Sequence, residues 1–354
     1  AAVASVVASV VVAAVVTSSV SASVVAVTSS SVVASVEASA VASAVVTSGS
    51  VAGGAGAFVQ PARVKSIAAA SISEMNFMKT LVAGAIAGVM MAGAAVAKDD
   101  LRPREYGIEF GVLKTGEHNA ITDVKGVLVG QVNVHDDKKG AHTGVTAILP
   151  HGGNLFKEKV PAGIFLANGF GKMTGYPQVK ELGNIETPIV LVNTLNVAAG
   201  LDGIIDYTFS FKDNGDCRSV NGVVGETNDG GINDIRARFL TPKHVLEAIT
   251  TAKSGPVEEG VVGAGSGTKA FGFKGGIGTS SRVLPKSMGG YTVGVLVQTN
   301  FGGFLRVDGV DVGEKLGGYP WQKEIESADG SIMMIVATDA PIDSRNLERV
   351  AKRA

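Results

Sequence analysis

The sequence holds 354 residues, with 31 Lys and Arg against 32 Asp and Glu, for a formal net charge of −1. Charges this balanced leave no footprint for nucleic acid or for an acidic partner surface. The single cysteine, Cys217, rules out an intrachain disulfide and a cysteine-rich metal site.

Residues 1–74 are set aside first. Through residue 60 they are nearly all Ala, Val, Ser and Thr, with Glu37 the sole charge and Phe58 the sole aromatic. No helical or alternating period persists there, so this low-complexity tract is expected to lie outside the native structure. Residues 75–97 read differently: Lys79 opens an apolar run, and Ala95-Val96-Ala97 closes it before Lys98-Asp99-Asp100. A basic start, an apolar middle and an A-x-A exit make a secretory signal peptide. An uncleaved membrane anchor is the alternative, and the small-residue exit favours cleavage. The expected location is therefore periplasmic or secreted, with one domain over residues 98–354 and no membrane contact once the signal is removed.

From Gly107 onward, short apolar strands alternate with Gly, Asn and Asp. Residues 121–134 predict a strand pair or a bulged strand, and residues 143–150, 162–167 and 188–193 predict further strands. A helix is expected over 242–253, with Pro242 in its first turn and Val245, Leu246 and Ile249 on one face. Residues 291–298 are a strong strand, and 304–311 suggest a hairpin turning at Asp308-Gly309. A last helix fits residues 343–353, with basic residues at its end. Many strands and few helices, without strict alternation, predict a layered α+β fold rather than a doubly wound sheet.

Several constellations carry weak chemical signals. The glycine runs 263–267 and 275–281 lack a Walker lysine and a strand–helix setting, so close backbone approach is favoured over phosphate binding. His135, Asp136 and Asp137 with His142 nearby suggest metal ligands, but no helical i, i+4 pair is present. A Gly/Lys-rich loop is the simpler account, and no metal is expected. No Gly-x-Ser-x-Gly elbow occurs. Residues 225–236 and 298–300 set amides and carboxylates beside strand ends, where they line a site or cap a turn.

One stretch stands out. Gly330-Ser331 precedes the apolar run 332–337, which reads as a buried strand. Glycine tolerates backbone angles that other residues avoid, so the hydroxyl of Ser331 is placed to attack the carbonyl just before it. Hydrolysis of the resulting ester would leave Ser331 as a new N-terminus carrying a nucleophile and its own base. On local residues alone, a simple turn before a core strand is the favoured account of the pair.

The runs AHTGVT (141–146), NGFGKMTG (168–175), ETPI (186–189), GETNDGGINDIR (225–236), GFKGGIGTSSR (272–282), VGVLVQTNFG (293–302) and DGSIMMIVATDAP (329–341) together resemble the L-aminopeptidase/D-esterase family, which includes the β-peptidyl aminopeptidases. The resemblance implies a four-layer αββα sandwich, shared with ornithine acetyltransferases. It implies autocleavage between Gly330 and Ser331, giving a large chain over 98–330 and a small chain starting at 331. The two stay associated in a homo-oligomer of such pairs. The implied substrates are short peptides, amides or esters, and the implied cofactors are none. Ser331 is then the nucleophile, Asn300 the oxyanion donor, and Glu226, Asp229 and Asp234 candidates for binding the substrate ammonium. Two departures accompany the match. The family's later serine and acidic residue, two positions apart, have no counterpart before Ala354, and Gly231 stands where an aromatic is usual. Both predict a poorly processed or inactive chain. The remaining alternatives are an acyltransferase like the ornithine acetyltransferases, against which Ser331 in place of threonine argues, and a non-catalytic periplasmic binding protein of the same fold.

Overall fold

A computed structural model describes residues 9–17, 102–167, 169–317 and 330–354. The 75–97 signal and all of the 1–74 tract except 9–17 lie outside the described residues. Apart from Asp308–Val310, the described residues fall in one unit.

Twelve strands are described: β1 Ser9–Thr17, β2 Leu128–Asp136, β3 Ala141–Leu149, β4 Val160–Leu166, β5 Asn184–Ile185, β6 Ile189–Asn193, β7 Val223–Thr227, β8 Lys269–Ala270, β9 Phe273–Lys274, β10 Ile277–Val283, β11 Thr292–Asn300 and β12 Gly330–Thr338. The helices are α1 Tyr176–Leu182, α2 Val197–Phe209, α3 Pro242–Thr250, α4 Val312–Lys315 and α5 Ser344–Arg353. One sheet runs β10-β11-β12-β1-β4-β5 and a second runs β2-β3-β6-β7.

Strand alternation builds the layers. On β12, Met333, Ile335 and Ala337 join Leu296 of β11 and Ile148 and Leu191 of the second sheet in one buried cluster between the sheets. Each large aliphatic side chain taken from water there contributes about 1.5–3 kcal/mol of transfer free energy. The intervening residues Met334 and Val336 face outward onto Leu347 and Ala351 of α5. Asp343 caps that helix by accepting from the Asn346 N–H at 2.9 Å. Gly163 of β4 permits its close approach, because a Cβ there would stand 2.3 Å from the Glu348 nitrogen. On the far side, α2 and α3 cover the second sheet through Ile204, Val245, Ala248 and Ile249. The result is helix, sheet, sheet, helix, as the layered α+β reading expects.

Several local readings change. Residues 121–134 are not a strand pair: Ile121–Asp123 form a 3-10 turn before β2. Asp123 imposes it by accepting from the N–H groups of His118 and Ala120 at 2.9 and 3.0 Å and from the Ser281 hydroxyl at 2.6 Å. Burial pushes this carboxyl up, but those donors outweigh it and hold its pKa below the usual value. In α3 it is Ala248, not Leu246, that is buried beside Val245 and Ile249. Residues 304–311 turn at Asp308-Gly309, with φ of 48° and 76°, and lead into α4 rather than forming a two-stranded ladder. Within the Val-rich tract, residues 9–17 form a strand between β12 and β4, antiparallel to the first and parallel to the second. Its run of β-branched valines has the propensity for that position, which low complexity conceals.

Candidate active site

Ser331 is the second residue of β12, on the same face as Met333, Ile335 and Ala337, and is 5% exposed. The face follows from the period of two along a strand. The Gly330–Ser331 junction lies within the ladder rather than in a bend outside it: Gly330 is opposite Thr17, and Ser331 is opposite Asn300 on one side and Val16 on the other.

The pairing with β11 brings the two sequence-predicted residues together. Asn300 Nδ2 donates to Ser331 Oγ at 3.1 Å and to the Asn228 carbonyl at 2.7 Å. Its Oδ1 accepts from the Lys269 N–H at 3.1 Å, which fixes the amide with its donor side toward the serine. A second donor, the Asn228 N–H, reaches Ser331 Oγ at 3.4 Å. Asn228 was absent from the sequence-derived candidates although it sits in their midst at 225–236, because a backbone N–H leaves no signature in residue type. Gln298, on the same face of β11, donates from Nε2 to Thr227 Oγ1 at 2.8 Å and to the Ala264 carbonyl at 2.9 Å. That buried amide ties β11 to β7 directly before Asn228.

The three carboxylates separate. Glu226 is buried and accepts from the Lys172 N–H at 3.0 Å and from the Thr194 hydroxyl. Asp229 is 2% exposed and accepts from Asn233 Nδ2 at 3.0 Å. Burial pushes its pKa up, against hydrogen bonds from Thr143, Asn233 and Asn193. Asp234 is exposed, and its N–H donates to the Gly140 carbonyl at 2.8 Å. A side chain at Gly231, where the family resemblance places an aromatic, would meet the flexible end of Lys269, with Nζ at 3.2 Å.

The glycine runs serve close backbone approach. A Cβ at Gly144 of β3 would stand 2.3 Å from the Gly263 carbonyl oxygen, and Gly263 itself has φ of 51°, so the 263–265 turn lies directly on β3. Lys274 holds this region by donating from Nζ to the carbonyls of Gly265, Thr268 and Gly275, each at 2.9 Å. Burial pushes its pKa down to about 8, with the Asp229 carboxylate pulling the other way. Asp229→Asn removes that pull, so Lys274 is expected to titrate below about 8 in the variant. A lysine whose folded pKa lies below its unfolded value of ~10.4 adds stability as pH rises between the two. In the variant that rise begins at lower pH, and urea midpoints measured across the alkaline range check it.

A cavity of about 520 Å³ lined by Arg102, Phe110, Glu259, Thr279, Val295 and Val297 opens elsewhere. Val295 and Val297 alternate with Leu296 and Gln298, so the cavity lies on the face of β11 opposite Ser331, and none of the candidate residues lines it.

A four-layer sandwich with a serine at the head of an inner strand, facing two amide donors, is the arrangement of an N-terminal-nucleophile hydrolase. The chain belongs to peptidase family S58, whose model matches residues 119–354. Beta-peptidyl aminopeptidase BapA of Sphingosinicella microcystinivorans is 43% identical over 290 residues, covering 76% of this chain and 72% of that protein. A second BapA, from Sphingosinicella xenopeptidilytica, is 40% identical over 72% of this chain and 67% of its own length. Among solved structures, a Burkholderia sp. beta-aminopeptidase superposes with a TM-score of 0.64 at 38% identity, over 71% of this chain and 70% of that one. The L-aminopeptidase D-Ala-esterase/amidase of Ochrobactrum anthropi, described as a prototype serine aminopeptidase with a variant Ntn hydrolase fold, gives 0.60 at 36% identity, over 71% of each chain. The peptidase reading therefore stands, and the acyltransferase and binding-protein alternatives give way.

Proposed function

We propose that this aminopeptidase activates itself by cutting the Gly330–Ser331 bond and then works through the amino-terminal serine so exposed. The carrying observation is the position of Ser331 Oγ, 3.1 Å from Asn300 Nδ2 and 3.4 Å from the Asn228 N–H. In the precursor, Oγ adds to the Gly330 carbonyl carbon. The C–N bond breaks, the nitrogen of Ser331 takes the hydroxyl proton, and an ester remains. Water then hydrolyses that ester, leaving the Gly330 carboxylate and a free α-amine on Ser331.

That amine titrates near pKa ~7.7–8.0 in an unperturbed chain, so a usable fraction is neutral at physiological pH and takes the proton of its own hydroxyl. The hydroxyl attacks the scissile carbonyl of a short peptide, amide or ester, and the amine or alcohol leaves with the returned proton. Water frees the acyl group from Ser331. Asn300 and Asn228 supply donors to the oxyanion of each tetrahedral intermediate. Recognition of the substrate ammonium falls to the acidic 226–234 segment, where Asp229 directly follows Asn228. Export through the 75–97 signal, and assembly of processed pairs into a homo-oligomer, belong to the same proposal.

Mass spectrometry of complete, freshly purified protein is the test. The expected result is a fragment whose first residue is Ser331. An intact junction in material that still consumes dipeptides overturns the proposal.

A further inference from the structure

We propose that His135, Asp137 and His142 form a binding site for a first-row divalent transition cation, with zinc as the representative ion. The residues lie on the β2–β3 hairpin, where His135 is directly opposite His142 in the ladder. Opposed positions carry Cβ atoms about 4.5–5.5 Å apart on one face, so the register delivers both imidazoles to one place. The reading from sequence named these residues and set them aside, because it sought the i, i+4 spacing of a helix. A hairpin pairs residues seven apart as readily.

The three residues offer ligand atoms that all lie within 4.8 Å of one another. The Nε2 atoms of His135 and His142 stand 3.3 and 3.6 Å from the same oxygen, Asp137 Oδ1. Tetrahedral zinc with bonds of about 2.0–2.1 Å has ligand–ligand edges of about 3.3–3.4 Å. The two Nδ1 atoms stand 3.1 Å apart. Two N–H groups cannot face each other at that distance, so at least one Nδ1 carries no proton and accepts from the other. The neighbouring Asp136 is engaged otherwise, accepting from Lys139 Nζ at 3.3 Å and from the N–H groups of Lys138 and Lys139. Asp137 is left to the imidazoles. Its side chain is 79% exposed and that of His135 63%, so an ion has a path in from solvent and open positions for water.

The donor set selects the ion. Two imidazoles and one carboxylate suit Zn²⁺, Ni²⁺ or Cu²⁺, whereas Ca²⁺ and Mg²⁺ require oxygen ligands. The site is also wired to the chain around Ser331. The His142 N–H donates to Asn233 Oδ1 at 3.1 Å, and Asn233 Nδ2 donates to Asp229 at 3.0 Å. A cation on the hairpin therefore stiffens a support of the loop that carries Asn228.

The test is calorimetric titration of ZnCl₂ into the tag-free full chain after dialysis against chelator, with urea midpoints confirming that each variant is folded. The expected result is one saturable cation per chain and a rise in Tm with zinc. His142→Gln and Asp137→Asn should each weaken binding at least about tenfold, since even outer partners of a metal ligand are typically worth that much. Asp136→Asn should leave the affinity unchanged. His135→Gln, at the most exposed imidazole, provides a further arm if His142→Gln proves unstable. No saturable binding, equal binding in wild type and variants, or a loss on removing only one of the three residues overturns the assignment.

Discussion

Ser331→Ala is expected to yield a single uncut chain with no detectable aminopeptidase activity. The substitution removes the oxygen that attacks Gly330 in the precursor, so the amine that would serve as base is never released. Loss of a nucleophile in a serine hydrolase typically costs on the order of 10⁶-fold in kcat, and here both processing and turnover disappear together. A denaturing gel reads the first effect and hydrolysis of a chromogenic amino-acid amide reads the second. The fold should survive, because among the described residues Ser331 Oγ is held by hydrogen bonds from Asn300 and Asn228, while Met333, Ile335 and Ala337 continue to bury the strand. In the processed wild-type protein, activity should rise with pH through the pKa of the Ser331 amine, ~7.7–8.0 for an unperturbed α-amine, because the neutral form is the base. A cut Ser331→Ala chain would place the reaction at another residue.

Asn300→Ala should lower kcat by about 10²–10³-fold, the usual worth of one preorganised oxyanion donor, while leaving KM nearly unchanged. The reason lies in when the contact counts. Asn300 Nδ2 stands within donor distance of Ser331 Oγ in the resting chain, but its charge-stabilising value appears only when a carbonyl oxygen becomes negative. Self-cleavage passes through the same kind of intermediate, so the uncut precursor should accumulate in parallel. Asn300→Asp is the sharper variant. It keeps the shape but puts an acceptor where the donor was, and it turns a like charge toward the oxyanion, so it should fall below Asn300→Ala. If Asn300→Ala processes and turns over normally, the donor role belongs elsewhere, with the Asn228 N–H as the remaining group in place.

The strands over 143–150, 162–167, 188–193 and 291–298 and the helices over 242–253 and 343–353 were legible because each carries a complete local period and, for the helices, a cap. The helix α2 was not, since Gly200 and Gly203 make part of its buried face and glycine contributes no hydrophobic signal to a period. Ser331 and Asn300 were named from motif alone, and the structure brings them to 3.1 Å. The ammonium-binding candidates Glu226, Asp229 and Asp234 were chosen by charge, whereas burial divides them: two are enclosed and one is exposed. Burial depends on what the second sheet and its helices place over the segment, and no residue type encodes that.

By itself, then, the amino-acid sequence determined the family, the strand that carries Ser331 and the neighbour that could donate to it, because these reside in contiguous residues with a period or a motif. Only the tertiary structure decided that a backbone N–H of Asn228 faces Ser331, that Lys269 orients the Asn300 amide, and that His135, Asp137 and His142 share one place on a hairpin. Each of those depends on register and on segments far apart in the chain. A one-residue slip would turn the same side chains to the opposite face, so the arrangement exists only once the two sheets have closed over their common core.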